Sequence, residues 1–84
     1  MKLEELHVSS LLVHVNIKKA DAIQASINLL NGAEVITISP EGKAIVVLEA
    51  PNQGVIMDVI DSINEIDGVI NTGLVYHEFE KQQA

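Results

Sequence analysis

The sequence predicts an α+β fold in which four strands and two helices follow one another in the order β-α-β-β-α-β. Two observations lead to this prediction. Several short segments are apolar at consecutive positions, as buried strands are, and two intervening segments repeat apolar residues at helical spacing. The chain has 84 residues. That length fits a single domain over residues 1–84, and we expect an ordered core of about residues 7–79.

The first half of the chain predicts a strand, a helix and a hairpin. Residues 1–6 read as a loose leader before a strand near 8–16. Residues 18–31 form a helix that ends at Gly32, and strands over 33–39 and 43–50 flank a Pro-Glu-Gly turn. The apolar stripe of this helix consists of Ala20, Ile23, Ile27 and Leu30.

The second half predicts one helix and one strand. Pro51 ends the third strand, and Asn52 is suited to cap the next helix because its side-chain oxygen accepts free backbone N–H groups. The apolar face of that helix comprises Ile56, Val59, Ile60, Ile63 and Ile66. Asp67-Gly68 ends the helix, a strand runs from Val69 to about Phe79, and residues 81–84 read as a polar tail.

With right-handed crossovers, this order gives a ferredoxin-like split βαβ domain. The antiparallel sheet has the strand order 4-1-3-2, with both helices on one face. Residues 8–15 and 44–48 are nevertheless apolar toward both faces of the sheet. The helix-free face should therefore be an apolar platform, and such a surface usually binds another molecule.

Strand alternation predicts which side chains form that platform. We expect Leu12, Ile45, Val47 and Val75 at its centre, beside a shallow depression at Gly73. Ser10, His14, Asn71 and His77 complete the helix-free side, whereas Ile70, Thr72, Leu74 and Tyr76 should face the helices. A one-residue slip or bulge would invert a whole set. A helix or an extended peptide could occupy the platform, and so could a second copy of the chain.

Charge predicts the kind of partner. The net charge is −7, from twelve acids and five lysines without arginine, which argues against nucleic acid. An acidic surface favours a cationic partner, although acidity also serves solubility alone. Glu49 and the pair His77-Glu78 should lie beside the start of the first strand, near Glu4, Glu5 and Glu80. The opposite end should contain His14, Lys43 and Asn71. A partner with cations at one end of an apolar segment would therefore find carboxylates beside its cations.

The sequence offers no catalytic or cofactor motif. It has no cysteine, its three histidines (His7, His14 and His77) are not at metal-ligand spacing, and its five glycines are isolated. We expect no enzyme activity, no metal and no cofactor. No membrane-length apolar run and no secretory signal is visible, so the cytoplasm is the default location.

Three segments together resemble a known family. The strand at residues 8–13, the run Val-Val-Leu-Glu-Ala at 46–50, and Gly68-Val69 leading into Leu-Val-Tyr-His at 74–77 look like the NapD-type chaperones of the periplasmic nitrate reductase. The similarity spans about residues 8 to 78. Each motif alone is weak, but their order and spacing are more specific.

The resemblance implies a cytoplasmic chaperone without a cofactor. Such proteins bind the twin-arginine signal peptide of the catalytic subunit, largely helical, on the open sheet face. They delay export until the molybdenum cofactor and the iron–sulfur cluster are inserted. The family supplies no catalytic motif to transfer.

The predicted peptide-binding residues therefore come from the strand faces. They are Ser10, Leu12, His14, Ile45, Val47, Glu49, Gly73, Val75 and His77. We expect a monomer or weak dimer. The alternatives are a small ACT-type regulatory domain that dimerises through its sheet, and a subunit that only assembles into a larger complex.

Overall fold

The computed structural model describes the backbone of residues 3–83 and the side chains of residues 6–75. Its elements are β1 (Leu3–Val15), a 3-10 turn (Ile17–Lys19), α1 (Ala20–Leu29), β2 (Ala33–Ile38), β3 (Lys43–Ala50), α2 (Gln53–Asn64) and β4 (Val69–Gln83). The sheet order is β2-β3-β1-β4, with all neighbouring strands antiparallel. This is the predicted 4-1-3-2 order counted from the opposite edge, and the ferredoxin-like fold is confirmed.

The β1–β4 strand pair is longer than predicted. β1 begins at Leu3, and its first residues pair with the end of β4, from Leu3 opposite Gln83 to Leu6 opposite Glu80. The expectation of a loose leader is therefore wrong for residues 3–6, and residues 81–83 of the predicted polar tail belong to β4. Strands pair through backbone hydrogen bonds, which do not depend on side-chain polarity. A polar pair of strands therefore leaves no apolar pattern in the sequence from which it could be predicted.

The cap of α2 is confirmed by its geometry. The Asn52 side-chain Oδ1 accepts the Val55 N–H at 2.9 Å, and α2 starts at Gln53. At the other helix, Gly32 follows the end of α1 with a φ of 82°. Its carbonyl accepts the Glu49 N–H at 2.8 Å, and a Cβ at this position would collide with the Glu49 carbonyl oxygen. The α1–β2 connection is therefore held directly against β3.

The core lies on one side of the sheet, between the strands and both helices. The helices contribute Ile23 and Ile27 from α1 and Ile56, Ile60 and Ile63 from α2. The strands contribute their odd-numbered residues in β1 and even-numbered residues in β3, namely Leu11, Val13, Val15, Ala44, Val46, Leu48 and Ala50. Each fully buried aliphatic side chain contributes about 1.5–3 kcal/mol. Both helical stripes lie on this side, and no described helix covers the other.

Three bulges interrupt the alternation in the outer strands. In β2, Ile36 lies between Val35, opposite Val46, and Thr37, opposite Ile45. In β4, the register shifts around Ile70 and again around Val75. An inserted residue changes which face each following side chain occupies.

The bulges correct the predicted faces of β4. Val69, not Ile70, lies opposite Val15, and the Ile70 side chain is 69% exposed. Beyond Val75, the backbone register places Tyr76 opposite Ser10 and His77 opposite Ser9, the reverse of the predicted alternation. The side chains of these two residues lie outside the described part of the chain.

Between the bulges the prediction holds. Thr72 lies opposite Val13, and its hydroxyl donates to Asn64 Oδ1 of α2 at 3.0 Å, so it faces the helices. Leu74 lies opposite Leu11 on the same side but remains 55% exposed at the sheet edge.

Candidate functional site

The helix-free side of the sheet, called the open face below, is built from the even-numbered residues of β1 and their register partners. Four rows of partners cross it, from β2 or β3 toward β4. They are Glu49–Val8–Glu78, Glu34–Val47–Ser10–Tyr76, Thr37–Ile45–Leu12–Gly73 and Lys43–His14–Asn71.

The centre of the open face is apolar. Leu12, Ile45 and Val47 lie on adjacent strands and are half-buried by their neighbours. Gly73 lies opposite Leu12, and a Cβ added there would meet nothing within 4 Å. The surface over Gly73 is therefore open beside Leu12. Together with Ser10, these residues occupy the face predicted for them.

One end of the open face is acidic. Glu49 lies in the first row, and Glu34 lies opposite Val47 in the second, so the two carboxylates flank one valine. Both residues are exposed, and neither forms an ion pair with another described side chain. In the backbone register, Val8 lies between Glu49 and Glu78, as predicted.

A groove adjoins the acidic end at the β2 edge. Its volume is about 480 Å³, and it is lined by residues 28–34 together with Val47 and Glu49. Leu29, 86% exposed, forms part of its apolar wall. Asn28 fixes the groove, because its Oδ1 accepts the Val35 N–H at 3.0 Å and so ties α1 to β2. The groove thus offers apolar surface and two carboxylates together.

Glu34 is a residue that the sequence reasoning missed. No position of the second strand was placed on the open face, although a signal existed. Val35 is apolar and buried, so simple alternation through Ala33, Glu34 and Val35 assigns Glu34 to the opposite side.

The other end of the open face carries donors and a cation. His14 Nδ1–H donates to Asn71 Oδ1 at 2.6 Å, and Lys43 lies opposite His14 on its other side. Lys43 forms no ion pair with another described residue. This arrangement places His14, Lys43 and Asn71 together, at the end of the sheet where the sequence predicted them.

Two predicted site residues stand apart from this arrangement. Val75 is the residue without a register partner in the second β4 bulge, and its side chain is 66% exposed. The backbone of His77 lies opposite Ser9, whose side chain is buried on the helix side. The second β4 bulge is the common cause, because it shifts the backbone register between Leu74 and Tyr76.

The described residues contain no arrangement typical of a metal centre. Among them, no three histidine, aspartate or glutamate side chains are close enough to hold a metal ion. Within the same part of the chain, no helix has the length and apolarity to cross a membrane. The described open face can bind by apolar contact, hydrogen bonding and charge.

These features define a small α+β protein of the ferredoxin-like class whose sheet keeps one face open. The family model of the NapD protein matches residues 6–81, and the chain belongs to this family. The chain is accordingly a chaperone and not an enzyme, as the sequence predicted.

Named relatives support this assignment. The chain is 39% identical to the chaperone NapD of Haemophilus influenzae over 77 residues, which cover 90% of this chain and 83% of that protein. It is 34% identical to the chaperone NapD of Escherichia coli K12, over 89% of this chain and 87% of that protein.

A solved structure agrees. The solution structure of the E. coli Tat proofreading chaperone protein NapD superposes with a TM-score of 0.81 at 32% identity, covering 94% of this chain and 84% of that one. The family assignment favours the chaperone prediction over the ACT-type alternative.

Proposed function

We propose that this chain is a cytoplasmic chaperone that binds the twin-arginine signal peptide of the catalytic subunit of a periplasmic nitrate reductase. Binding on the open face would keep the signal from the export machinery until the subunit has received its cofactors. The single observation that carries this proposal is an apolar sheet face with two carboxylates, Glu34 and Glu49, at one end.

The chemistry of the open face fits that guest. A twin-arginine signal has arginines followed by an apolar segment. An arginine side chain combines a methylene stem with a planar guanidinium that pairs with carboxylates. The groove brings the acidic residues Glu34 and Glu49 together with the apolar residues Leu29 and Val47. Leu12, Ile45 and Val47 offer the adjoining apolar surface.

Apolar burial would supply most of the affinity, at about 25 cal/mol for each Å² removed from water. The exposed carboxylates would contribute less, about 0.2–1 kcal/mol for each ion pair, because water and salt screen them. Their principal effect would be on the association rate and on the choice of guest. Export would then be delayed without any chemical reaction, because the export machinery cannot bind a signal peptide that the chaperone already covers.

Calorimetric titration tests the proposal. The native signal peptide of the nitrate reductase is compared with a peptide in which both arginines are replaced by glutamine. Loss of two exposed ion pairs should raise the Kd by about 2- to 30-fold, since a tenfold change corresponds to about 1.4 kcal/mol. Failure of the native peptide to bind at all would end the proposal.

A matched pair of chain variants assigns the charge partners. Glu34→Gln combined with Glu49→Gln removes two acids from the open face. Asp61→Asn combined with Glu65→Gln removes two exposed acids at α2 and serves as the control. The penalty for replacing the peptide's arginines should nearly vanish in the first variant and persist in the second. An equal penalty in both would exclude Glu34 and Glu49 as partners.

A further inference from the structure

We propose that the guest lies along the strands in the direction of β1, with its cationic N-terminal end at Glu34 and Glu49 and its later residues at Lys43 and His14. This orientation rests on the proposed function. It specifies the direction of the bound peptide, which follows from the distribution of charge over the open face.

Charge differs between the two ends of the strands. Along β1, the first row contains Glu49 and the last contains Lys43, both exposed and neither in an ion pair with a described residue. Glu34 adds a second carboxylate near the Glu49 end, opposite Val47. A peptide that lies along the strands therefore meets an acidic end and a basic end.

Other charges at the Lys43 end do not cancel this difference. Lys19 and Asp67 lie there too, but they pair with each other at 2.5 Å. Glu41 is in the turn before β3, outside the four rows of the open face. On the open face itself, one end has Lys43 and the His14 ring, and the other end has Glu34 and Glu49.

The dimensions of the face fit a short peptide segment. Val8 and His14 are about 20 Å apart along β1, at about 3.3 Å per strand residue. That span corresponds to about 13 residues of α-helix or about six residues of extended chain. For a helical guest the macrodipole favours the same direction, because its positive N-terminus meets the carboxylates and its negative C-terminus meets Lys43.

Side-chain space along this path is also uneven. The open space over Gly73 lies in the row next to Lys43 and His14, whereas the groove lies at the acidic end. A guest in the proposed direction places its arginines at the groove and an apolar residue over Gly73. In the reverse direction, the arginines would approach Lys43, which repels them.

Paramagnetic relaxation enhancement measures this direction. The chain has no cysteine, so a nitroxide can be attached to a single cysteine placed at either end of the synthetic native signal peptide. Backbone amides of the ¹⁵N-labelled chain report the label's position. The N-terminal label should broaden Val8, Glu34 and Glu49 most, and the C-terminal label should broaden His14 and Lys43 most.

The outcomes separate the two proposals. The reverse pattern, or a difference between β2 and β4 in place of one along β1, overturns the orientation and leaves peptide binding intact. Equal broadening of both ends by both labels also overturns it, since the guest then has no fixed direction. A native peptide that causes no shift changes in the chain overturns the proposed function, and the orientation with it.

Discussion

Replacement of Leu12 by glutamate should abolish most peptide binding without unfolding the chain. Leu12 lies in the apolar centre between Ile45 and Gly73, and its side chain is half-buried in the free protein. A bound peptide would remove the remaining exposed part from water, at most about a third of the side chain, which is worth about 0.5–1 kcal/mol. A carboxylate covered there without a partner adds a penalty of about 2 kcal/mol. Together these raise the Kd about 100-fold.

Calorimetric titration of the native signal peptide measures this change, and Met57→Glu is its control. Met57 belongs to α2 and is 47% exposed, so the substitution adds the same charge away from the open face. Thermal unfolding of both variants confirms that they fold. If Leu12→Glu binds within twofold of the unchanged chain, the apolar centre is not the binding surface and the reasoning fails.

Three further predictions concern single residues. Gly73→Val should raise the thermal unfolding midpoint, because valine suits a strand and its Cβ meets nothing. It should weaken binding of the native signal peptide severalfold by occupying the open space beside Leu12, and tighter binding would contradict this. Gly32→Ala should lower the free energy of unfolding by at least about 1 kcal/mol in urea titration. Alanine disfavours a φ of 82°, and its Cβ would collide with the Glu49 carbonyl. Unchanged stability would show that the α1–β2 connection can shift freely. Asn52→Ala should lower the free energy of unfolding by about 1 kcal/mol in the same titration, because α2 loses its N-terminal cap. Affinity for the signal peptide should stay constant, and a change in that affinity would place α2 in the peptide-binding site.

Most of the fold could be predicted from the sequence because local signals agreed with one another. The apolar stripes of both helices, the Asn52 cap and the turn before Lys43 each point to the observed element. The two-sided apolar character of β1 and β3 then requires central positions in the sheet, which they occupy.

The bulges could not be predicted, and they explain the errors in the site. A bulge depends on how a strand fits its partner, and nothing local marks Ile70 or Val75 as an inserted residue. Central-strand residues such as Leu12 and Ile45 therefore lie on the predicted face, whereas the edge residue Ile70 does not. Glu34 was overlooked for a different reason, since no residue of the second strand was assigned to a face of the sheet.

The irregular positions in β2 and β4 bear on how this protein avoids polymerising. An outer strand with an unbroken row of free amide groups invites a neighbouring molecule to extend the sheet. Here each rim is broken at an inserted residue, Ile36 on one side and Ile70 and Val75 on the other. Continuous strand-to-strand growth from either rim is thereby disfavoured, even though the sheet keeps an apolar face that no described helix covers.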